Sequence, residues 1–184
     1  MLSKKDVKSA LNGVQTVVLD LDGTLYDKHG LARRMVRRLW WCLPLMAIDR
    51  TAHGGLWRWI VNTRWHKQVY LPTMAQLIGE SCPRREQTIA LIDEAKNKGL
   101  QLAIYSDYGC IREKLEVLHV DENDFDLLIS APELGDLKPS KACAQEVLRR
   151  LNAKPETTLF VGDREEKDGK TARAVGAKFL LVGR

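Results

Sequence analysis

The stretch VVLDLDGTLYD, residues 17–27, sets four apolar residues (Val17, Val18, Leu19 and Leu21) around two aspartates, Asp20 and Asp22, and follows them with Gly23 and Thr24. The apolar run reads as a buried strand, so Asp20 falls at the end of a sheet and Asp22 just beyond it. Carboxylates are seldom fully buried without partners. Two held side by side repel each other and disturb each other's protonation. The simplest compensation is a bound cation, for which the rest of the chain must supply further ligands. Alone, an Asp-x-Asp pair reads equally well as a strand end and a turn.

Working outward, β-rich runs recur at VQTVVLD (14–20), LQLAIYS (100–106), FDLLIS (125–130), TTLFVG (157–162) and AKFLLVG (177–183). Several are continuously apolar, as parallel strands covered on both faces are. Helical patterns lie between them. REQTIALIDEAKNKG places Ile89, Ile92 and Ala95 on one face and ends in lysines and Gly99, a stop signal. IREKLEVLHV reads as a helix too, and SKACAQEVLRRLN begins with Ser140 as an N-cap after Pro139. Alternation of strand and helix gives the α/β class with a mostly parallel sheet.

Residues 21–99 break that rhythm, because one crossover needs far fewer residues. Within them LARRMVRRLWWCL sets Leu31, Met35, Leu39 and Cys42 on one helical face, with arginines largely opposite. Pro44 and Pro72 are expected to break helices, and HGG (53–55) to form a turn. The expected organisation is an α/β core from residues 1–27 and 83–184, with a helical cap inserted at 28–82.

At 184 residues, 45% hydrophobic and 29% charged, the composition suits one globular domain with an insertion. Cys42, Cys82, Cys110 and Cys143 stand far apart with no metal-site spacing, which argues for reduced thiols. The opening MLSKKDVKSALNG lacks the apolar core of a signal peptide, and LWWCLPLMAI is too short to span a bilayer. A cytoplasmic location is expected. The sequence stops at Gly183-Arg184, soon after the last β-run, so a sheet edge is expected to be less covered or to pair with a partner.

The net charge of +5 is uneven: Leu31 to Tyr70 holds eight basic residues and one acid, Asp49, giving +7 against −2 for the rest. All five tryptophans, Trp40, Trp41, Trp57, Trp59 and Trp65, fall in the same stretch.

Ligands of parallel α/β sheets sit beyond the carboxyl ends of the strands. The first run ends in Asp20 and Asp22, and the second in SDYG (106–109). ELGDLKPS with Lys138 follows the third, and GDREEKDG with Asp163 and Asp168 the fourth. GKT within that last segment is no phosphate-binding P-loop: six residues separate Gly162 from Gly169 where four are needed, and the acids among them would repel phosphate.

In this order, DLDGTLY, Ser106, Lys138 before Pro139 and GDREEKD resemble the four motifs of the haloacid dehalogenase-like (HAD) superfamily, over about residues 14–182. The resemblance implies a HAD-like Rossmannoid core and an inserted α-helical cap. It also implies a phosphoric monoester hydrolase that works through an aspartyl-phosphate. Asp20 would attack phosphorus. Asp22 would protonate the leaving oxygen and then activate water. Mg2+ would be held by Asp20, the backbone carbonyl of Asp22 and Asp163. Ser106, the backbone N–H of Asp107 and Lys138 would hold the phosphoryl oxygens. Asp168 would orient Lys138 or a metal-bound water. Thr24, in the tight turn after the acids, joins the substrate-binding candidates. The acid at position 22 argues against carbon–halogen cleavage, since the dehalogenases of the superfamily lack it.

The expected partner is a small phosphorylated substrate. Two other readings stand beside hydrolysis: phosphotransfer within one substrate, as in a mutase, and a binding protein with a vestigial core. The basic, Trp-rich residues 31–70 suit an anionic membrane surface. No motif for specific nucleic-acid recognition is present.

Overall fold

The computed structural model describes residues 8–51 and 54–183. A short helical turn at residues 8–10 leads into β1 (Thr16–Leu19), which is buried along its whole length. The inserted segment follows: α1 (Leu31–Arg38), a 3-10 turn (Trp40–Cys42), α2 (Leu43–Thr51), α3 (Gly54–Val61), a π-helical turn (His66–Tyr70) and α4 (Leu71–Ser81). The chain then alternates: α5 (Glu86–Asn97), β2 (Gln101–Ser106), α6 (Ile111–Val117), β3 (Leu127–Ser130), α7 (Ala131–Leu134), α8 (Lys141–Arg150), β4 (Thr158–Gly162), α9 (Lys170–Val175) and β5 (Lys178–Leu181). The five strands form one parallel sheet in the order β3-β2-β1-β4-β5. The fold is thus α/β, as the alternation of runs predicts.

Strand periodicity sorts the core. Val17, Leu19, Leu102, Ile104, Leu159 and Val161 face one apolar cluster, while Val18, Ala103, Tyr105 and Phe160 face the other. The first cluster takes in Leu91, Ile92 and Ala95 of α5 and Ile111 and Leu115 of α6. The second takes in Val147 and Leu148 of α8 and Ala172 of α9. The insertion joins both: Leu31, Met35, Met74 and Ile78 belong to the first cluster, Trp57, Ile60 and Val61 to the second. Its helices pack on one another, α1 on α4 and α2 on α3, and α4 also packs on α6 of the core.

The insertion leaves and rejoins the core through a narrow stem. Tyr26 and Arg84 form an antiparallel bridge, Asp27 N–H donates to Pro83 O at 2.9 Å, and Arg85 N–H donates to Leu25 O at 2.8 Å. Arg85 Nε also donates to Gly23 O (2.9 Å) and Thr88 Oγ1 to Thr24 O (2.7 Å), which ties the start of α5 to the Asp-x-Asp turn.

One helix expectation is corrected. Pro72 does not end a helix: residues 64–81 are continuously helical, and the π-turn just before the proline absorbs the missing N–H and the ring's clash with the preceding turn. Pro44 does stand at a helix break: α1 ends at Arg38, and the proline lies in the first turn of α2, where an N–H has no intrahelical acceptor. Of the turn expected at HGG, Gly54 and Gly55 open α3, and His53 lies outside the described residues. No helix among the described residues is long and apolar enough to cross a membrane.

Contact between insertion and core is closest where Gly79 of α4 meets α6. A Cβ at Gly79 would lie 2.9 Å from Val117 Cβ, a separation that side chains do not tolerate. Gly79→Leu is expected to push α4 off α6 and to cost about 1–3 kcal/mol, read as a lower urea midpoint.

Candidate active site

Central β1 has β2 on one side and β4 on the other, so the carboxyl edge of the sheet is where the three chain ends converge. Asp20 N–H donates to Val161 O at 2.8 Å, which fixes the residue after β1 against β4. The next turn depends on a glycine: Gly23 has φ 100°, and a Cβ there would come within 2.5 Å of Asp163 Oδ2. Gly162 plays a similar part at the end of β4, where a Cβ would fall 2.4 Å from the Asp168 carboxylate.

Lys138 reaches into this edge from the loop between α7 and α8. Its Nζ donates to Asp20 Oδ1 and Asp168 Oδ1, each at 2.6 Å, and to Tyr105 O at 3.1 Å. Three acceptors satisfy an ammonium that is only 5% exposed. Burial would lower its pKa, but the charges of Asp20, Asp168 and Asp107 outweigh that and hold it protonated. For Asp20 the balance runs the other way. Burial, reinforced by Asp168 and Asp22, pushes its carboxyl up to about 6 despite Lys138. Thr24, which is fully enclosed, donates from Oγ1 to Asp20 Oδ2 at 3.0 Å, so its hydroxyl is used in orienting that carboxylate.

Asp22 has separate company. Lys114 Nζ donates to both its oxygens (2.8 and 2.9 Å), Tyr26 OH to Oδ1 (2.6 Å) and Ser106 Oγ to Oδ2 (3.0 Å). Burial works against ionisation here too, yet Lys114 and these hydrogen bonds prevail and bring the carboxyl below its usual range. Lys114 and Tyr26 are absent from the sequence-based candidates. The signal for Lys114 is present in the sequence, because it interrupts the apolar stripe Ile111, Leu115, Leu118 of α6 and is completely buried. A lysine on the inner face of a helix calls for a buried counter-charge.

Asp107 is buried and spends its carboxylate on Lys138 N–H (2.9 Å) and Lys167 Nζ (2.7 Å). Asp168 takes Lys138 on Oδ1 and the Arg164 N–H on Oδ2 (3.2 Å). All eight sequence-predicted site residues therefore gather at one edge of the sheet.

Carboxylate oxygens of Asp20, Asp163 and Asp168 lie within 4.8 Å of one another. The surroundings fit a hard cation. Asp163 Oδ1 is buried with no hydrogen-bond partner among the described residues. Between the Asp22 carbonyl and Asp163 Oδ2 sits the Lys28 ammonium, at 2.9 and 2.6 Å. This half-exposed lysine marks with its own charge a place bounded by two of the expected metal ligands. An all-oxygen donor set suits Mg2+. Beside it opens a cleft of about 270 Å3, lined by Lys28, Leu31, Ala32, Met35, Tyr70, Met74 and Tyr108.

Two measurements follow from these contacts. Lys114→Met strands a buried carboxylate and is expected to cost about 3–5 kcal/mol in chemical unfolding, while Lys114→Met with Asp22→Asn recovers most of it. Cation binding requires the ionised carboxylate, so Mg2+ affinity by titration calorimetry is expected to weaken as pH falls through about 6, where Asp20 takes up its proton.

The family model of haloacid dehalogenase-like hydrolases matches residues 14–176. Among curated proteins, the chain is 34% identical over 102 residues to the glyceraldehyde 3-phosphate phosphatase of Methanothermobacter thermautotrophicus, covering 54% of this chain and 44% of that protein. It is 26% identical to haloacid dehalogenase-like hydrolase domain-containing protein 3 of Bos taurus, covering 85% of this chain and 61% of the relative. The chain thus spans about half to three-fifths of the length of these relatives. Among solved structures, CbbY from Rhodobacter sphaeroides in complex with phosphate superposes with a TM-score of 0.71 at 20% identity, over 93% of this chain and 87% of that one. A HAD phosphatase from Thermococcus onnurineus gives 0.70 at 19% identity, with the same coverage. With the motif order, the sheet topology and the family match in agreement, the chain belongs to the haloacid dehalogenase-like hydrolases.

Proposed function

We propose that this chain is a Mg2+-dependent phosphatase that hydrolyses a small phosphorylated metabolite through an aspartyl-phosphate on Asp20. The observation that carries this reading is Lys138 held at 2.6 Å from both Asp20 and Asp168: a fixed ammonium beside a carboxylate at the end of the central strand. The relative named glyceraldehyde 3-phosphate phosphatase supports a small phosphate ester as substrate.

In this reading an Asp20 oxygen attacks phosphorus as the bond from phosphorus to the leaving oxygen breaks. Thr24 and Lys138 hold the attacking carboxylate in one orientation. Lys138 and the Ser106 hydroxyl meet the negative charge of the phosphoryl oxygens. Asp20, the Asp22 carbonyl and Asp163 would hold Mg2+, which would supply further positive charge to the phosphoryl group. Asp22 has two tasks in turn. It must carry a proton to the leaving oxygen, and this requires it to turn away from Lys114. Returned to Lys114, Tyr26 and Ser106 it is an ionised carboxylate, the form needed to draw a proton from the water that opens the aspartyl-phosphate. The organic part of the ester occupies the cleft between α1, α4 and Tyr108, whose size limits the substrate to a small molecule. The four cysteines are unpaired, which suits a reducing cytoplasm.

The test is release of inorganic phosphate from an aryl phosphate, then from a panel of small phosphate esters, with and without Mg2+. Turnover is expected only with the cation, and Asp20→Asn is expected to lose at least about 10³-fold in kcat. Undiminished turnover by pure Asp20→Asn would remove Asp20 as the nucleophile. Recovery of the phosphate on another position of the substrate would replace hydrolysis by phosphotransfer.

A further inference from the structure

We propose that the helical insertion docks on an anionic membrane surface, with Trp40, Trp41 and Trp59 entering the headgroup layer and the surrounding arginines meeting lipid phosphates. Three observations, all outside the catalytic edge, carry this.

First, every large apolar side chain that is exposed among the described residues falls within residues 36–59: Val36, Trp40, Trp41, Leu43, Leu56 and Trp59. The three tryptophans are 69%, 59% and 56% exposed, far more than a ring of that size tolerates without a function. Trp40 and Trp41 lie on the 3-10 turn after α1, where Cys42 is the buried residue, and Trp59 lies on α3. On α3, Trp57, Ile60 and Val61 turn inward while Leu56, Arg58 and Trp59 turn outward. On α1, Leu31 and Met35 are inward, and Arg33, Val36 and Arg37 outward.

Second, the cations beside this apolar surface are uncompensated. Arg33, Arg37, Arg58 and Arg64 are exposed and have no carboxylate within 4.0 Å among the described residues, and Arg38 reaches Glu80 only at 4.0 Å.

Third, Asp49, the one acid between residues 31 and 70, is sealed inside the insertion against His66 Nε2 at 3.2 Å, with both side chains buried. The outer face of the segment therefore presents positive charge without negative.

This combination selects the occupant. Tryptophan rings that are apolar with one polar N–H, set among arginines on short helices, match the boundary between headgroups and acyl chains. A second copy of the chain would bring two basic faces together and repel. Nucleic acid would satisfy the arginines but leave Val36, Leu43 and Leu56 in water.

The protein supplies its own probe, since all five tryptophans lie in this segment. The full chain is mixed at low salt with vesicles of phosphatidylcholine containing about 30% phosphatidylglycerol, and with phosphatidylcholine alone, and followed by co-sedimentation and tryptophan emission. Sedimentation and a blue shift are expected with the anionic vesicles only, and both are expected to fade as salt rises. Trp40→Ser with Trp41→Ser, and separately Arg33→Glu with Arg37→Glu, are each expected to weaken partitioning at least about tenfold while leaving circular dichroism unchanged. Asp20→Asn is expected to bind vesicles as the wild type does, so failure of the phosphatase reading leaves this result standing. Absence of binding to anionic vesicles, or equal binding to neutral ones, overturns the proposal. So does self-association in sedimentation velocity that the tryptophan variant abolishes while vesicles go unbound.

Discussion

Four carboxylates, those of Asp20, Asp22, Asp107 and Asp168, are packed into the end of a buried parallel sheet, and the molecule rests on how their charge is neutralised. Two buried lysines do most of this, in two separate compartments. Lys138 joins Asp20 to Asp168, while Lys114 holds Asp22 with help from Tyr26 and Ser106. The compartments give neighbouring aspartates opposite tendencies: Asp20 is pushed toward protonation by burial, and Asp22 is kept ionised. Two carboxylates one residue apart thus acquire different chemistry from their surroundings, a division of labour common to acid–base sites.

The fold supplies the convergence. Parallel strands place their carboxyl ends on one edge, and the order β3-β2-β1-β4-β5 makes the strand bearing Asp20 the middle of five. Residues far apart in the chain then meet without long loops. The remaining adjustments are made by glycines, where Gly23 and Gly162 leave room for carboxylates that any side chain would displace.

Much of this was legible in the sequence, because apolar runs report strands and the acids, serine and lysine follow them directly. Ser106, Lys138, Asp163 and Asp168 were each weak signals whose order made them informative. What the sequence concealed depended on three-dimensional company. Lys114 interrupts an apolar helical stripe, but its counter-charge, Asp22, lies 92 residues away in the chain and meets it only in the fold. Tyr26 stands within DLDGTLY with no role assigned from the sequence, and its hydroxyl completes the shell of Asp22. Pro72 read as a helix stop because proline rules are local, and a π-turn upstream repaired the damage. Thr24, placed by motif among the substrate contacts, turned out to be enclosed with its hydroxyl on Asp20.

The stem at Tyr26 and Arg84 has a consequence for how such a molecule can vary. To the sheet, everything between Asp27 and Pro83 is a single closed loop, since those two residues already hydrogen-bond at 2.9 Å. The entropy of closing a loop grows only with the logarithm of its length, so each doubling adds about 0.6 kcal/mol. Residues can be gained or lost in the exposed parts of the insertion at little cost in loop closure, provided the seam of α4 against α6 and the core residues of α1 and α3 are kept. The face that meets the outside world is therefore free to drift in sequence and size, while the edge that holds the aspartates stays fixed.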